Sequence, residues 1–367
     1  PVFIMNSGCS RYIYYQTGGE VVNRNYSTRV PCIENPFGYR IVNAVVNGDS
    51  ARFLFDTGAE ISDVSIKAVE HSTGANVIDY YGNSTILKIG KDIEFLIGDI
   101  IHHGLFGSKT MKNELFSAYD YILGNNVIAK HNILIEKDSL SFSDKEFGVS
   151  KLCYKAKLYL PGDYRYRMKI YLNDFLMYPV IDYGSSISFD IPEVLYHQIK
   201  GIVNVKREYS IVSAGLGVSG LSQADTVVRM MCDVNINGFA MSNVNLQFSS
   251  TPEVRIGVEF LNRFNTVAIN NKSNKILLGD YDTNYISRSK NLPVAFYYLG
   301  NELIVGGKEM DNQTVRNLNV CDTIISINSK TKDDFVTFED FWEYQSGLMQ
   351  NDTIVIQDNK GTIHVVY

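Results

Sequence analysis

Phe53-Leu54-Phe55-Asp56-Thr57-Gly58-Ala59 sets three large apolar residues before an acid, a hydroxyl, a glycine and a small residue. An apolar run of this kind reads as a buried strand. An aspartate at its end is costly to bury unless its charge is shared or hydrogen-bonded. Gly58 lets the chain turn sharply and brings backbone N–H groups to the carboxylate. A related stretch, Pro179-Val180-Ile181-Asp182-Tyr183-Gly184-Ser185, stands 126 residues later. An asparagine turn precedes each aspartate by nine residues, at Asn47 and Asn173.

The correspondence continues downstream. Tyr121-Ile122-Leu123-Gly124 leads into Asn125–Ile128, and Arg255-Ile256-Gly257 leads into Val258–Leu261. Both run on through Ile133-Leu134-Ile135 and Val267-Ala268-Ile269 to Leu140-Ser141-Phe142 and Ile276-Leu277-Leu278. Asp to Gly is 68 residues in the first half and 75 in the second, so an indel of seven relates two lobes. If the lobes pack about a pseudo-twofold axis, Asp56 and Asp182 meet there. Two close carboxylates cannot both ionise cheaply, so they share a proton and titrate as a pair. One can then act as general base on a water and the other as general acid toward a carbonyl oxygen. An aspartate that only closes a structural turn is the plainer alternative, and the duplication weighs against it.

Composition narrows the classes. At 367 residues the chain has room for two or three domains. Its 45% apolar and 20% charged content is that of a globular protein rather than a disordered one. A net charge of −6 argues against nucleic-acid binding. No apolar run approaches the ~20 residues that span a bilayer. Cys9, Cys32, Cys153, Cys232 and Cys321 show no CxxC spacing, and their odd number excludes a complete disulfide framework. A Cys9–Cys32 pair and scattered buried thiols both stay open. The His102-His103 doublet without HExxH gives metal catalysis no support, so neither metal nor cofactor is expected. Gly215-x-Gly217-x-x-Gly220 matches a dinucleotide fingerprint in spacing. However, Thr226–Met231 reads as strand where that fingerprint needs a helix. The start, Pro1-Val2-Phe3-Ile4-Met5, lacks the basic opening of an intact signal peptide. Asn6-Ser7-Gly8-Cys9 is loosely like a bacterial lipoprotein cleavage site.

Short Val-, Ile-, Tyr- and Phe-rich runs bounded by Gly, Asn, Asp and Ser predict a mainly β chain. Helices are expected at Ser62–His71, Pro192–Ile202 and Thr337–Ser346, the last opened by a capping Thr337 and the acids Glu339-Asp340.

Phe55-Asp56-Thr57-Gly58-Ala59 with the later Ile122-Leu123-Gly124 resembles the retropepsin-like aspartic proteases. Two such lobes in one chain resemble a pepsin-type arrangement, over roughly residues 36–285. The resemblance implies Asp56 and Asp182 as the catalytic pair. It implies Thr57 hydrogen-bonding across the axis, and Gly58, Ala59, Tyr183, Gly184, Ser185, Gly124 and Gly257 as its support. Tyr183 and Arg255 depart from the family pattern, which has a small hydroxyl residue and an apolar residue there. A β-hairpin flap closes the family's cleft, with candidates at Tyr80-Tyr81-Gly82 and at Gly215 and Gly217. Beyond residue 290, the core Asn317-Leu318-Asn319-Val320-Cys321-Asp322-Thr323-Ile324-Ile325-Ser326-Ile327-Asn328 resembles a PDZ domain with Asn317 and Cys321 in its two glycine positions. Such a domain binds a peptide as an added strand and holds its carboxylate in a backbone loop, here placed at Leu292-Pro293-Val294.

Together these readings predict a bilobal pepsin/retropepsin-like β-barrel pair followed by a small PDZ-like α+β domain. The expected divisions are an N-terminal extension (1–35), lobe 1 (36–150), lobe 2 (151–285) and the PDZ-like domain (290–367). The expected function is an aspartic endopeptidase acting on protein or peptide. The alternative is a catalytically weak or inactive pseudoprotease that binds peptides through the cleft and the PDZ-like domain. A monomer with both aspartates in one chain is expected. So is a periplasmic or cell-surface location, with membrane anchoring through a removed leader or Cys9, the alternative being cytoplasmic.

Overall fold

Asn47 and Gly48 both take positive φ (48° and 92°), the pairing that a two-residue hairpin turn demands. They join Arg40–Val46 to Asp49–Phe55 in a computed structural model of the chain. The structure describes residues 19–35, 37–64, 73–78, 84–108, 119–161, 164–214, 216–217, 220–221, 223–283, 285, 292–348 and 353–366. The same turn chemistry recurs in the second half. Asn173 and Asp174 (43° and 71°) join Ile170–Leu172 to Phe175–Met177, and Asn237 and Gly238 (50° and 88°) join Asp225–Ile236 to Phe239–Ser249.

The described residues are mainly β strand, in a large mixed sheet. The strand ending at Phe55 lies parallel to Tyr121–Leu123, with Phe53 opposite Tyr121. The short strand Val180–Ile181 lies parallel to Arg255–Ile256 in the same way. A four-residue helix follows each partner strand, Asn125–Ile128 and Val258–Leu261. The two halves then join through one continuous sheet. Asn132–Glu136 pairs with Phe264–Asn270, placing Ile133 opposite Ile269. Each is backed by its hairpin partner, Ser139–Ser143 or Lys275–Tyr281. Ser27–Glu34 and Leu152–Tyr159 complete the two flanks. Residues 19–34, set apart above as an extension, therefore supply strands of the body. Gly19–Val21 pairs with Ile100–Ser108, and Ser27–Glu34 with both Ser139–Ser143 and Arg40–Val46.

Each half also carries a long hairpin. Thr73–Ile78 pairs with Ser84–Ile97 in the first, and Asn204–Ser213 with Asp225–Ile236 in the second. Tyr80, Tyr81, Gly82 and Gly215 lie outside the described residues. Gly217 lies in the two-residue strand Leu216–Gly217, paired with Gly220–Leu221. Of the helix expected over Ser62–His71, only Ser62–Val64 falls among the described residues. Asp63–Val64 is a strand parallel to Gly107–Ser108, and residues 65–72 lie outside the described set. The segment Pro192–Ile202 is helical as expected, over Glu193–Lys200.

The C-terminal segment has an apolar cluster of its own, centred on Phe296, Leu303, Val305, Phe341 and Ile356. Its hairpin, Val294–Leu299 with Glu302–Glu309, turns on Gly300 and Asn301, and its helix runs Phe338–Leu348. That helix starts with a reciprocal cap. The Asp340 N–H donates to the Thr337 hydroxyl, and the Thr337 N–H donates to the Asp340 carboxylate. The segment is attached by strand pairing. Ile211, Val212 and Ser213 lie opposite Glu309, Lys308 and Gly307, extending the second-half hairpin by one strand. It also meets the first half, where Phe37 stacks on Trp342 with ring centroids 4.0 Å apart. No described helix is long and apolar enough to cross a membrane.

Ile133 and Ile269 are both fully buried at the seam between the halves. Truncating Ile269 to alanine should lower unfolding stability by about 2–5 kcal/mol. The same change at exposed Ile363 should stay within about 0.5 kcal/mol. Urea midpoints of the two variants check this.

Candidate active site

Two sharp turns meet at the centre of the molecule. The Asp56 N–H donates to the Leu123 carbonyl (3.0 Å) and the Asp182 N–H to the Ile256 carbonyl (2.8 Å), so each aspartate is fixed at the end of its parallel strand pair. The Gly58 and Ala59 N–H groups donate to Asp56 Oδ1 (2.8 and 3.1 Å), and the Gly184 N–H donates to Asp182 Oδ1 (3.0 Å). The glycines are required by space. A Cβ on Gly58 would fall within 3.0 Å of the Asp182 carboxyl, and one on Gly184 within 3.0 Å of the Asp56 carboxyl. Each carboxyl thus faces the other turn's glycine, and the charge of each bears on the other.

Gly124 and Gly257 do matching work. A Cβ on Gly124 would strike the Ile61 backbone, and one on Gly257 the Ser185 and Ile187 carbonyls. The chains cross closely enough for the Asn125 N–H to donate to the Ala59 carbonyl (2.9 Å) and the Val258 N–H to the Ser185 carbonyl (2.8 Å). The Thr57 hydroxyl is fully buried. It donates to the Ile181 carbonyl (2.7 Å) and accepts from the Tyr183 N–H (3.1 Å), tying the two turns together. The opposite tie is lacking because Tyr183 has no short hydroxyl. Its buried ring instead packs edge-on to Phe55, centroids 5.4 Å apart, and its hydroxyl feels Arg40 and Cys32 rather than either aspartate.

Burial, and then the neighbouring Asp182 charge, push Asp56 up to about 7. Burial also raises Asp182, against the opposing pull of Arg255. The Arg255 guanidinium lies 3.4 Å from Asp182 Oδ2.

The structure brings together Asp56, Asp182, Thr57, Gly58, Ala59, Tyr183, Gly184, Ser185, Gly124 and Gly257. The flap tips fall outside its described residues. Leu292, Pro293 and Val294 lie in the C-terminal segment without forming an open loop of donors. The Pro293 carbonyl accepts from the Glu309 N–H (2.7 Å), Val294 is buried, and Leu292 packs on the apolar cluster.

The sequence reading missed three neighbours of the pair. Tyr39 is buried, hydrogen-bonded to Ser186, and feels both carboxyls; Tyr119 is buried and feels Asp56. Glu253 gathers Arg165, Arg167 and Arg255. The alternation in Arg165-Tyr166-Arg167 and Glu253-Val254-Arg255 was the available signal, since residues two apart share a strand face. Among the described residues, no group of three or more His, Cys, Asp or Glu side chains could hold a metal ion. The described cysteines Cys32, Cys153, Cys232 and Cys321 are free thiols.

No family model matches the chain, and no curated protein matches it. Among solved structures it is similar to basic 7S globulin from soybean, at 12% identity over 70% of this chain and 96% of that one. The TM-score is 0.45, too slight a likeness to carry an argument.

Two outcomes follow from this geometry. Gly58→Ala should force the carboxyls apart and lower stability by about 1–3 kcal/mol, measured by urea unfolding. The second concerns pH. The folded Asp56 value lies above its ordinary 3.8, so between the two values the folded state binds the extra proton. Stability contributed by this group is therefore complete below about 4 and lost as pH rises through about 7. Urea midpoints should fall across that window in the wild type and fall less in Asp56→Asn.

Proposed function

We propose that this protein is an aspartic endopeptidase that hydrolyses peptide bonds with a water held between Asp56 and Asp182. The observation that carries the reading is the mutual approach of the two carboxyls, each seated over the other's turn glycine. Nothing structural calls for two acids each seated over the other's turn glycine, whereas a proton-sharing pair is what acid–base attack on a carbonyl needs. One carboxylate takes the proton of the attacking water while the other, protonated, donates to the carbonyl oxygen. A neutral diol forms and then collapses with the C–N bond broken. The chemistry needs no covalent intermediate. Thr57 and the turn N–H groups hold the carboxyls in place, so no reorganisation is spent at the moment of attack.

The substrate is a polypeptide lying between the two long hairpins, and both aspartates come from one chain, so a monomer suffices. The departure at Tyr183 is compatible with this reading, because its ring turns toward Phe55 and away from the pair. The C-terminal segment, which we read as PDZ-like, contributes through its seat on the second hairpin rather than through carboxylate capture, since Pro293 offers no donor and its carbonyl is engaged.

Cleavage of an unfolded-protein library between pH 3 and pH 8 tests the proposal. The wild type should cut, and Asp56→Asn and Asp182→Asn should each lose at least ~100-fold in rate. Cleavage that survives either change would remove the aspartate mechanism. Peptide binding without cleavage by the wild type would favour the pseudoprotease reading instead.

A further inference from the structure

The two halves differ in one respect that bears on the chemistry. Counting back from Gly124 and Gly257, Ile122 and Arg255 occupy matched positions. The first-half residue is apolar, and the second-half residue is a cation aimed at the carboxyl of its own half. Arg255 is largely buried (side chain 13% exposed, Asp182 7%), and its Nη1 lies 3.4 Å from Asp182 Oδ2. It is held there from behind. Arg255 Nη2 lies 3.2 Å from Glu253 Oε1. Glu253 in turn is fixed by Arg167 at 2.8 Å and by Arg165, whose Nη2 donates to Oε2 at 3.3 Å. Three arginines thus face one glutamate and one aspartate, all on the second-half side.

Asp56 has no cation within ion-pairing distance among the described residues. Its donors are the two backbone N–H groups, and the charged and titratable groups facing it are Asp182, the Tyr39 and Tyr119 phenols and, beyond ion-pairing distance, Arg255, whose weaker pull favours the Asp56 carboxylate less than the paired Asp182. Asp63 and Glu339 face Tyr119 from the far side. An ionised carboxylate gains from a neighbouring cation and a protonated one does not. When a pair holds one proton, the proton therefore resides on the member without the cation.

We propose that Arg255 is a positioning residue that polarises the aspartate pair, holding Asp182 as the carboxylate and leaving the shared proton on Asp56. The assignment rests on the endopeptidase reading and adds direction to it. Water's oxygen bonds to the substrate carbonyl carbon. Asp182 takes the water proton while Asp56 gives its proton to the carbonyl oxygen. The resulting diol faces a pair with the proton moved to Asp182. Asp182 then protonates the amide nitrogen, the C–N bond breaks, and Asp56 recovers a proton from a diol hydroxyl. An acid and an amine leave, and the pair is back in its starting state. Glu253 tempers the arginine charge, and Arg165 and Arg167 keep Glu253 in place.

The test reads protonation directly and does not need turnover. Carbon-13 carboxyl NMR of aspartate-labelled protein, assigned with Asp56→Asn and Asp182→Asn, follows both carboxyls through pH 3 to 8. In the wild type, Asp182 should show the carboxylate shift at pH values where Asp56 still shows the acid shift. Arg255→Ile, the first-half residue at that position, should raise the Asp182 transition by about 1–3 pH units, and Arg255→Lys should restore most of it. Glu253→Gln should move the same transition the other way. If substrate is cut, the acidic limb of kcat/KM should move with the Asp182 transition in each variant. The proposal is overturned if Asp56 ionises first in the wild type, or if Arg255→Ile leaves the order and midpoints unchanged. An intact titration order with no cleavage would instead overturn the endopeptidase reading alone.

Discussion

The close approach of two carboxyls, Asp182 buried and Asp56 half-buried, is the constraint on which the centre of this structure depends. Burial raises both aspartates, and two like charges so close disfavour each other, which favours a shared proton there. That requirement reaches outward. The approach is sterically open only because positions 58 and 184 carry no Cβ, and the turns stay tight only because positions 124 and 257 let the chains cross. Thr57 then ties the turns with one hydroxyl in two hydrogen bonds. The shared sheet through Ile133 and Ile269 holds the two halves at the spacing that this geometry needs.

The halves match in backbone and differ in charge. The first-half turn is locked by neutral groups: the Gly124 N–H donates to the Ser62 hydroxyl, which donates to Asn126, and the Asn125 amide donates to the Thr57 carbonyl. The second-half turn carries the Arg255–Glu253 cluster beside its acid. The hairpins differ as well. The Ile211–Ser213 end of Asn204–Ser213 is covered by Gly307–Glu309, with the Tyr297 hydroxyl donating to the Ala214 carbonyl and Arg207 pairing with Glu309. A strand edge left open invites pairing with other chains, and the C-terminal segment closes this one. Phe37 bridges the apolar clusters of the body and the C-terminal segment, two residues from Tyr39 beside the aspartates.

Much of this was legible in the sequence because it rests on local chemistry. Asn47-Gly48, Asn173-Asp174 and Gly300-Asn301 announce positive-φ turns, and the apolar strands ending in Asp-x-Gly announce the centre. The duplication placed Asp182 opposite Asp56 although its motif had lost the hydroxyl residue. Long-range geometry was not legible. Nothing in Tyr39 or Tyr119 says that a phenol will face a carboxyl many residues away in the chain. The parallel pairing of Asp63-Val64 with Gly107-Ser108 is a contact that periodicity does not encode. Residues 19–34 read as an extension because their strand partners lie up to 116 residues downstream. Arg255 was visible as a departure from pattern, but its role depends on Glu253 and on two arginines nearly ninety residues earlier.

The central claim is that Asp56 and Asp182 act as one centre on a carbonyl turning tetrahedral. Calorimetric binding of a peptide that carries a secondary hydroxyl in place of its scissile carbonyl measures this most directly, because it needs no turnover. On the proposed mechanism such a hydroxyl would take the place of the attacking water between the carboxyls. The account predicts tight binding by the wild type that is weakened at least ~100-fold by Asp56→Asn and by Asp182→Asn alike, the loss expected when a buried charge-assisted hydrogen bond is removed. Equal affinity for the hydroxyl peptide and its unmodified amide, unchanged by either substitution, would contradict it.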